Sequence, residues 1–155
     1  MSKLVRHFTA GTFIVHQSKV LLILHRKLNK WLPPGGHVDE NELPDQCALR
    51  EAKEEVGLKI KLISFANHLP KKFKTTKVLV QPFHVNVHQI SKNHEHVGFV
   101  FFGKPIGKPK IKMNKKEIVK ASWFSEKDLV KLKNLPDDVL FSANQAIEWL
   151  KWFHN

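Results

Sequence analysis

Apolar positions along the chain recur with two periods. Over 12–16 (Thr-Phe-Ile-Val-His) and 20–25 (Val-Leu-Leu-Ile-Leu-His) they are nearly continuous and rich in β-branched residues. The segment Gln17-Ser18-Lys19 separates them, which predicts a strand pair joined by a short turn. Comparable stretches at 60–65, 78–87, 97–102 and 118–124, each bounded by polar or Gly/Pro segments, predict further strands. Pro82 cannot donate to a ladder, so its strand is expected to be at an edge, bulged or broken there. The period changes at 45–56, where Ala48, Leu49, Ala52 and Val56 recur at spacings of three and four and predict a helix. Pro44 suits its first turn, and Gly57 supplies a left-handed stop. Val139, Leu140, Ala143, Ile147 and Leu150 predict a closing amphipathic helix over 136–153, and 125–132 a short one before it.

Between the first strands and the first helix, Leu32-Pro33-Pro34-Gly35-Gly36 reads as a loop. The prolines exclude a helix, and the glycines free the backbone for conformations a side chain forbids, as close approach to a ligand requires. Strands and helices without repeat or low-complexity linker predict one α/β (α+β) domain over 1–155, a mixed sheet covered by helices. The lysine-rich pieces at 71–77 and 104–116 are expected to be exposed loops between strands.

Composition changes this picture only modestly. The chain has 155 residues, and its 42% hydrophobic content suits a globular core. Its single cysteine, Cys47, has no partner for a disulfide or a thiolate metal site, which suits a reducing cytoplasm. The start Met-Ser-Lys-Leu-Val-Arg-His lacks an apolar core, and the run at 20–24 is far short of a bilayer span, so neither secretion nor membrane insertion is expected. A formal charge of +12 draws in polyanions such as phosphorylated ligands. A lysine-rich surface also arises from solubility alone, so the charge does not establish RNA as a partner.

The chemistry is concentrated at 36–58. Glu51 stands three residues before Glu54 and four before Glu55, so three carboxylates crowd one turn of a helix whose other side is apolar. Like charges at that spacing repel, and only Arg50 and Lys53 are near enough to compensate. Mg²⁺, which prefers oxygen ligands and bridges carboxylates to phosphate oxygens, is the natural counter-ion. A solvated charged stripe would show the same three glutamates, so the cluster alone is weak evidence. The frame around it is more specific: Gly36, Glu42, Arg50, Glu51, Ala52, Glu54, Glu55, Gly57 and Leu58, in which Ala52 is smaller than the aliphatic residue often found there.

That frame resembles the Nudix box of the Nudix hydrolase family. The flanks are similar too: Trp31-Leu-Pro-Pro-Gly-Gly-His37-Val before the box, and Asn114-Lys-Lys-Glu117-Ile with Trp123-Phe124-Ser125 after it. The resemblance implies an α/β/α sandwich and a MutT-like pyrophosphohydrolase. Such an enzyme hydrolyses a nucleoside diphosphate linked to a group X, with water attacking phosphorus and Mg²⁺, or Mn²⁺ in its place, as cofactor. It also implies that Glu54 and Glu55 are the main metal ligands, with Glu51 a further ligand or the group orienting water. The Gly36 carbonyl completes the set. Arg50 and Glu42 support that network, and Glu117 is the candidate base or extra ligand outside the box, ahead of Glu95. An exposed Glu117 balancing Lys115, Lys116 and Lys120 is the competing reading.

For X, a (deoxy)nucleoside triphosphate comes first, because the short chain carries no added recognition segment. Dinucleoside polyphosphates and an RNA 5′ end follow, the latter favoured by the basic surface. A binding module without turnover is the alternative class, and the intact Glu51, Glu54 and Glu55 argue against it. His37, Trp31 and Phe124 are the candidate substrate contacts, with Phe83 and Phe101 as further aromatics near the cleft. Cys47, with no evident base, is expected to pack in or near the helix. His94 and His96 share a strand face, but without a third ligand or a zinc spacing no zinc site is expected there. The chain is expected to be a monomer or a homodimer.

Overall fold

The computed structural model describes residues 3–64, 70 and 72–152, with the backbone alone at 152. The expected positions at Phe65, Lys71 and Phe153 lie outside those residues. The elements run β1 (Val5–His16), β2 (Lys19–His25), β3 (Lys30–Leu32), β4 (Gly35–His37), α1 (Pro44–Val56), β5 (Ile60–Leu62), β6 (His84–Ser91), β7 (His94–Pro105), β8 (Ile118–Phe124), α2 (Glu126–Leu129) and α3 (Asp137–Trp152).

The described strands form one mixed sheet in the order β3-β2-β1-β7-β5. β4 adds to β1, β6 to β7 and β8 to β2. Only the long β1·β7 pair, Val5↔His94 through Ile14↔Gly103, is parallel. Strand alternation then sorts the core into two layers. Ala10, Ile14, Leu21 and Ile23 pack with Ala48, Ala52 and Val56 of α1. Their neighbours Phe13, Val15, Val20 and Leu22 pack with Val139, Ala143, Ala146, Ile147 and Leu150 of α3 on the other face. The expected helix–sheet–helix sandwich follows from this parity, each buried Val, Leu, Ile or Phe side chain contributing about 1.5–3 kcal/mol. No described helix is long and apolar enough to cross a membrane.

Several boundaries differ from the expectation, each for a visible reason. The first two strands meet through Gln17 and Ser18, with φ of 48° and 56°, a turn that matches the twist of paired strands without a glycine. β1 and β7 begin earlier than their apolar runs because their N-terminal halves, exposed in β1 and half-buried in β7, are held by each other. Pro82 ends the expected strand on its N-terminal side: β6 starts at His84, pairs only with β7, and continues to Ser91 as a polar alternation.

The expected glycine loop is a short strand. Gly36 pairs with Ala10 and Gly35 with Gly11, and Thr12 N–H donates to the Pro34 carbonyl at 2.9 Å. Close approach, rather than left-handed backbone, is what requires glycine here. A Cβ on Gly35 would lie 2.5 Å from the Ala10 carbonyl oxygen and 2.7 Å from the Gly11 Cα, and one on Gly36 would run into the Glu51 carboxylate. Gly57 is the left-handed residue, at φ 71°, and its N–H closes α1 onto the Lys53 carbonyl.

Candidate active site

α1 turns one side into the core and the other toward β4. Pro44 opens it, and the Leu43 N–H donates to the Gln46 Oε1 at 3.1 Å, which fixes the first turn. On the far turns, the spacing of three and four places Glu51, Glu54 and Glu55 at different depths. Glu54 is 56% exposed at its side chain, Glu51 is 12% exposed, and Glu55 is buried at 2%.

Glu55 reaches under β4, where its Oε2 accepts the Gly35 N–H at 2.9 Å. Burial, with Glu51, Glu117 and Glu54 nearby, pushes its carboxyl up to about 8 in spite of that hydrogen bond. Glu51 is pushed up as well, by burial first and by Glu54 and Glu117, against the pull of Arg50. The glycine at 36 leaves the space the Glu51 carboxylate occupies.

Arg50 binds the other carboxylates into one network. Its Nε and Nη2 hold Glu42 in a two-pronged pair, 2.8 Å to each oxygen. Nη1 donates to Glu51 at 2.8 Å and to Glu54 at 3.0 Å, and Nη2 to the His37 carbonyl at 3.0 Å. The pair holds the Glu42 carboxyl down at about 2, far below the usual range. One guanidinium thus ties β4 to three acidic positions of the box.

Glu117 arrives by a different route. The expected exposed loop at 104–116 begins within β7, and its later part docks: the Lys112 N–H donates to the Val56 carbonyl at 2.9 Å and the Asn114 N–H to the Glu55 carbonyl at 2.8 Å. These are the carbonyls a helix leaves unpaired at its C-terminus. Ile111 and Met113 pack against the α1-side core at the same place. The Asn114 Nδ2 then donates to the Glu117 Oε1 at 3.1 Å, which leaves that carboxylate near enough to raise both Glu51 and Glu55. Glu95 is elsewhere, paired with Arg6 at 2.9 Å across β1 and β7.

Of the other expected contacts, His37 offers its carbonyl to the glutamate network and its ring to the opposite side of the sheet, where the His96 Nε2 lies 3.2 Å from its own. Trp31 and Phe124 meet edge to face, centroids 4.9 Å apart, within the α3-side core. Phe83 stacks on Phe102 in that layer, and Phe101 is buried in the α1-side core. Cys47 is buried in α1, and burial pushes its thiol up to about 12. The residues sequence reasoning missed are His7 and the partners it gives His94 and His96. They come from separate strands, and no local spacing links them.

The donors gathered here are all oxygens: the carboxylates of Glu51, Glu54, Glu55 and Glu117, with the Gly36 backbone alongside. These carboxylates repel one another, and the buried pair Glu51 and Glu55 hold protons more tightly than usual, which fits a hard divalent cation that would take the place of those protons.

A family model described as the NUDIX domain matches residues 5–150. A hydrolase of the NUDIX family from Clostridium perfringens is similar in structure at TM-score 0.85, with 37% identity over 95% of this chain and 99% of that one. The MutT protein from Methanosarcina mazei Go1 shares the fold at TM-score 0.69 and 17% identity, over 97% of this chain and 98% of that one. Among curated proteins, an 8-oxo-dGTP diphosphatase of Proteus vulgaris is 35% identical over 65 residues, 39% of this chain. An m7GpppN-mRNA hydrolase NUDT17 of Xenopus laevis is 36% identical over 63 residues, 41% of this chain. The matches span 57% and 20% of those two relatives, respectively.

Proposed function

The chain belongs to the Nudix hydrolase family, and from that premise we propose that it is a Mg²⁺-dependent pyrophosphohydrolase whose first substrate class is the (deoxy)nucleoside triphosphates. The carrying observation is the convergence of carboxylates from two elements: Glu51 and Glu55 of α1 pack against Gly36 and Gly35 of β4, and Glu117, from the loop that docks on the end of α1, comes near enough to raise both. Glu51, Glu54, Glu55 and the Gly36 carbonyl would hold the cation. When bound, Mg²⁺, or Mn²⁺ in its place, supplies positive charge beside phosphoryl oxygens that grow more negative in the transition state.

The chain's own residues do the rest. Arg50 holds Glu51 and Glu54 in place through its pairing with Glu42, and so acts as a positioning residue. Glu117 takes the proton of the attacking water. The new P–O bond forms as the bridging P–O bond of the α–β anhydride breaks, and the leaving group, pyrophosphate or the nucleoside monophosphate according to which phosphorus is attacked, carries off the electron pair. With a general base contributing about a hundredfold or more, Glu117→Gln is expected to lower kcat by that order. An unchanged kcat would leave Glu117 as a charge-balancing neighbour of Lys115 and Lys116.

A second reading rests on the basic loop. Lys112, Lys115 and Lys116 lie on the segment that brings Glu117 to α1, so a polyanion at the glutamates would meet them, which favours an RNA 5′ end. Release of phosphate and pyrophosphate from nucleotides, dinucleoside polyphosphates, nucleotide sugars and triphosphorylated RNA, each with Mg²⁺, Mn²⁺ or EDTA, decides between them. Metal-dependent cleavage of triphosphates with weak salt dependence is expected. Cleavage confined to RNA and steeply suppressed by salt would select the second reading. No cleavage by folded protein carrying bound metal would sink both.

A further inference from the structure

On the side of the sheet away from the glutamates, imidazoles line up across adjacent strands. His7 of β1 is the register partner of His96 of β7, and His96 is the partner of His88 of β6. His37 of β4 stands opposite Thr9, two residues along β1 from His7. The β1·β7 ladder runs without a register shift from this row to Phe13 and Phe102, which face α3. Since side chains alternate, His7 and His96 share that face, at the end α3 leaves open. Gly36 turns toward Glu51, and the next residue, His37, turns the other way.

We infer that His7, His37 and His96 form a three-histidine site for a divalent transition-metal ion of the Zn²⁺ class, separate from the carboxylate site. One ring nitrogen from each of the three lies within 4.8 Å of the other two. The Nε2 atoms of His37 and His96 are 3.2 Å apart. Two nitrogens bound at about 2.0–2.1 Å to one tetrahedral ion stand about 3.3–3.4 Å apart, so this pair already has the spacing of neighbouring ligands. A small rotation of the exposed His7 ring would complete the triangle. His94 lies with its Nε2 2.9 Å from the His7 Nδ1 and is placed to orient that ring.

Donor chemistry separates this site from the other one. Three imidazoles with no carboxylate among them favour Zn²⁺, Co²⁺, Ni²⁺ or Cu²⁺ over Mg²⁺, whereas the oxygen set on α1 has the reverse preference. Three protein ligands leave one position of a tetrahedral ion to water or an anion. His37 also links the sites, because the Arg50 Nη2 donates to its carbonyl while its ring meets His96. A metal gripping β4, β1 and β7 together would therefore steady the strand against which Glu55 and Glu51 pack.

The test is Co²⁺ and Zn²⁺ binding to the full chain without an affinity tag, in excess Mg²⁺ so that the carboxylates are occupied. One equivalent of Co²⁺ with the visible absorption of tetrahedral nitrogen ligation is expected, displaced by Zn²⁺. His96→Ala and His7→Ala are each expected to weaken binding by more than the roughly 10–100-fold that loss of a ligand's hydrogen-bond partner costs, and Glu54→Gln to leave it unchanged. Circular dichroism of His7→Gln, at an exposed position, keeps loss of ligation distinct from loss of fold. Absence of saturable binding, equal affinity in the histidine variants, or its loss in Glu54→Gln would overturn the inference.

Discussion

Glu54→Gln and Glu55→Gln are each expected to lower kcat by about a hundredfold or more, since each removes a negative ligand and several kcal/mol of transition-state charge stabilisation. Their effects on stability are expected to diverge. Glu54 is mostly exposed, so its replacement leaves unfolding nearly unchanged apart from one surface contact with Arg50. Glu55 is buried, and its carboxyl is raised from the ordinary 4.5 to about 8 in the metal-free fold. Between those values the folded chain holds a proton the unfolded chain has released. Its stability is complete below about 4.5 and declines as pH rises toward 8, by about 1.4 kcal/mol for each pH unit.

Glutamine removes that titration while its amide oxygen still accepts the Gly35 N–H. Urea unfolding in EDTA at pH 5 and pH 8 is therefore expected to show Glu55→Gln gaining on the wild-type protein as pH rises. Mg²⁺ should narrow the gap, because it stabilises only the chain that binds it. Full activity in either variant would remove that residue from the metal set. A Glu55→Gln protein that loses stability at pH 8 would show that the buried carboxylate is stabilised in ways the hydrogen bond to Gly35 does not supply.

What could be read from the chain, and what could not, divides along the range of the interactions involved. The helix at 44–56 was legible because a single element carries its own apolar face, its proline start and its glycine stop. The two-layer sandwich was legible in part, since the runs in β1 and β2 alternate between two helices and so appear continuous. β4 was hidden because its only sequence signal is a glycine pair, and a strand of that kind is defined by the partner it approaches. Glu117 could be named from its flanks, yet its route to the glutamates depends on backbone bonds to the end of α1. The histidine row was beyond reach, because register between β4, β1, β7 and β6 decides which rings meet. Long-range pairing of this kind leaves no local period.

Arg50→Ala is expected to be the most damaging single change to the fold near the site. It strips the partner from Glu42 and Glu51, whose side chains are 14% and 12% exposed, and leaves Glu54 facing them. Breaking a buried pair from one side costs about 3–5 kcal/mol. The Arg50 side chain is itself 26% exposed, so about 2–3 kcal/mol is expected in urea unfolding at pH 7. Arg50→Lys is expected to recover less than half, because one ammonium cannot hold both Glu42 oxygens and still reach Glu51, Glu54 and the His37 carbonyl. The pH dependence gives a further check. Arg50 holds the Glu42 carboxyl at about 2, so its contribution is present above the ordinary 4.5 and lost as pH falls toward 2. Arg50→Ala is thus expected to cost less at pH 2 than at pH 7, the two proteins converging as Glu42 protonates. A constant difference across that range would mean that Arg50 acts through packing of its stem and not through the carboxylates it touches.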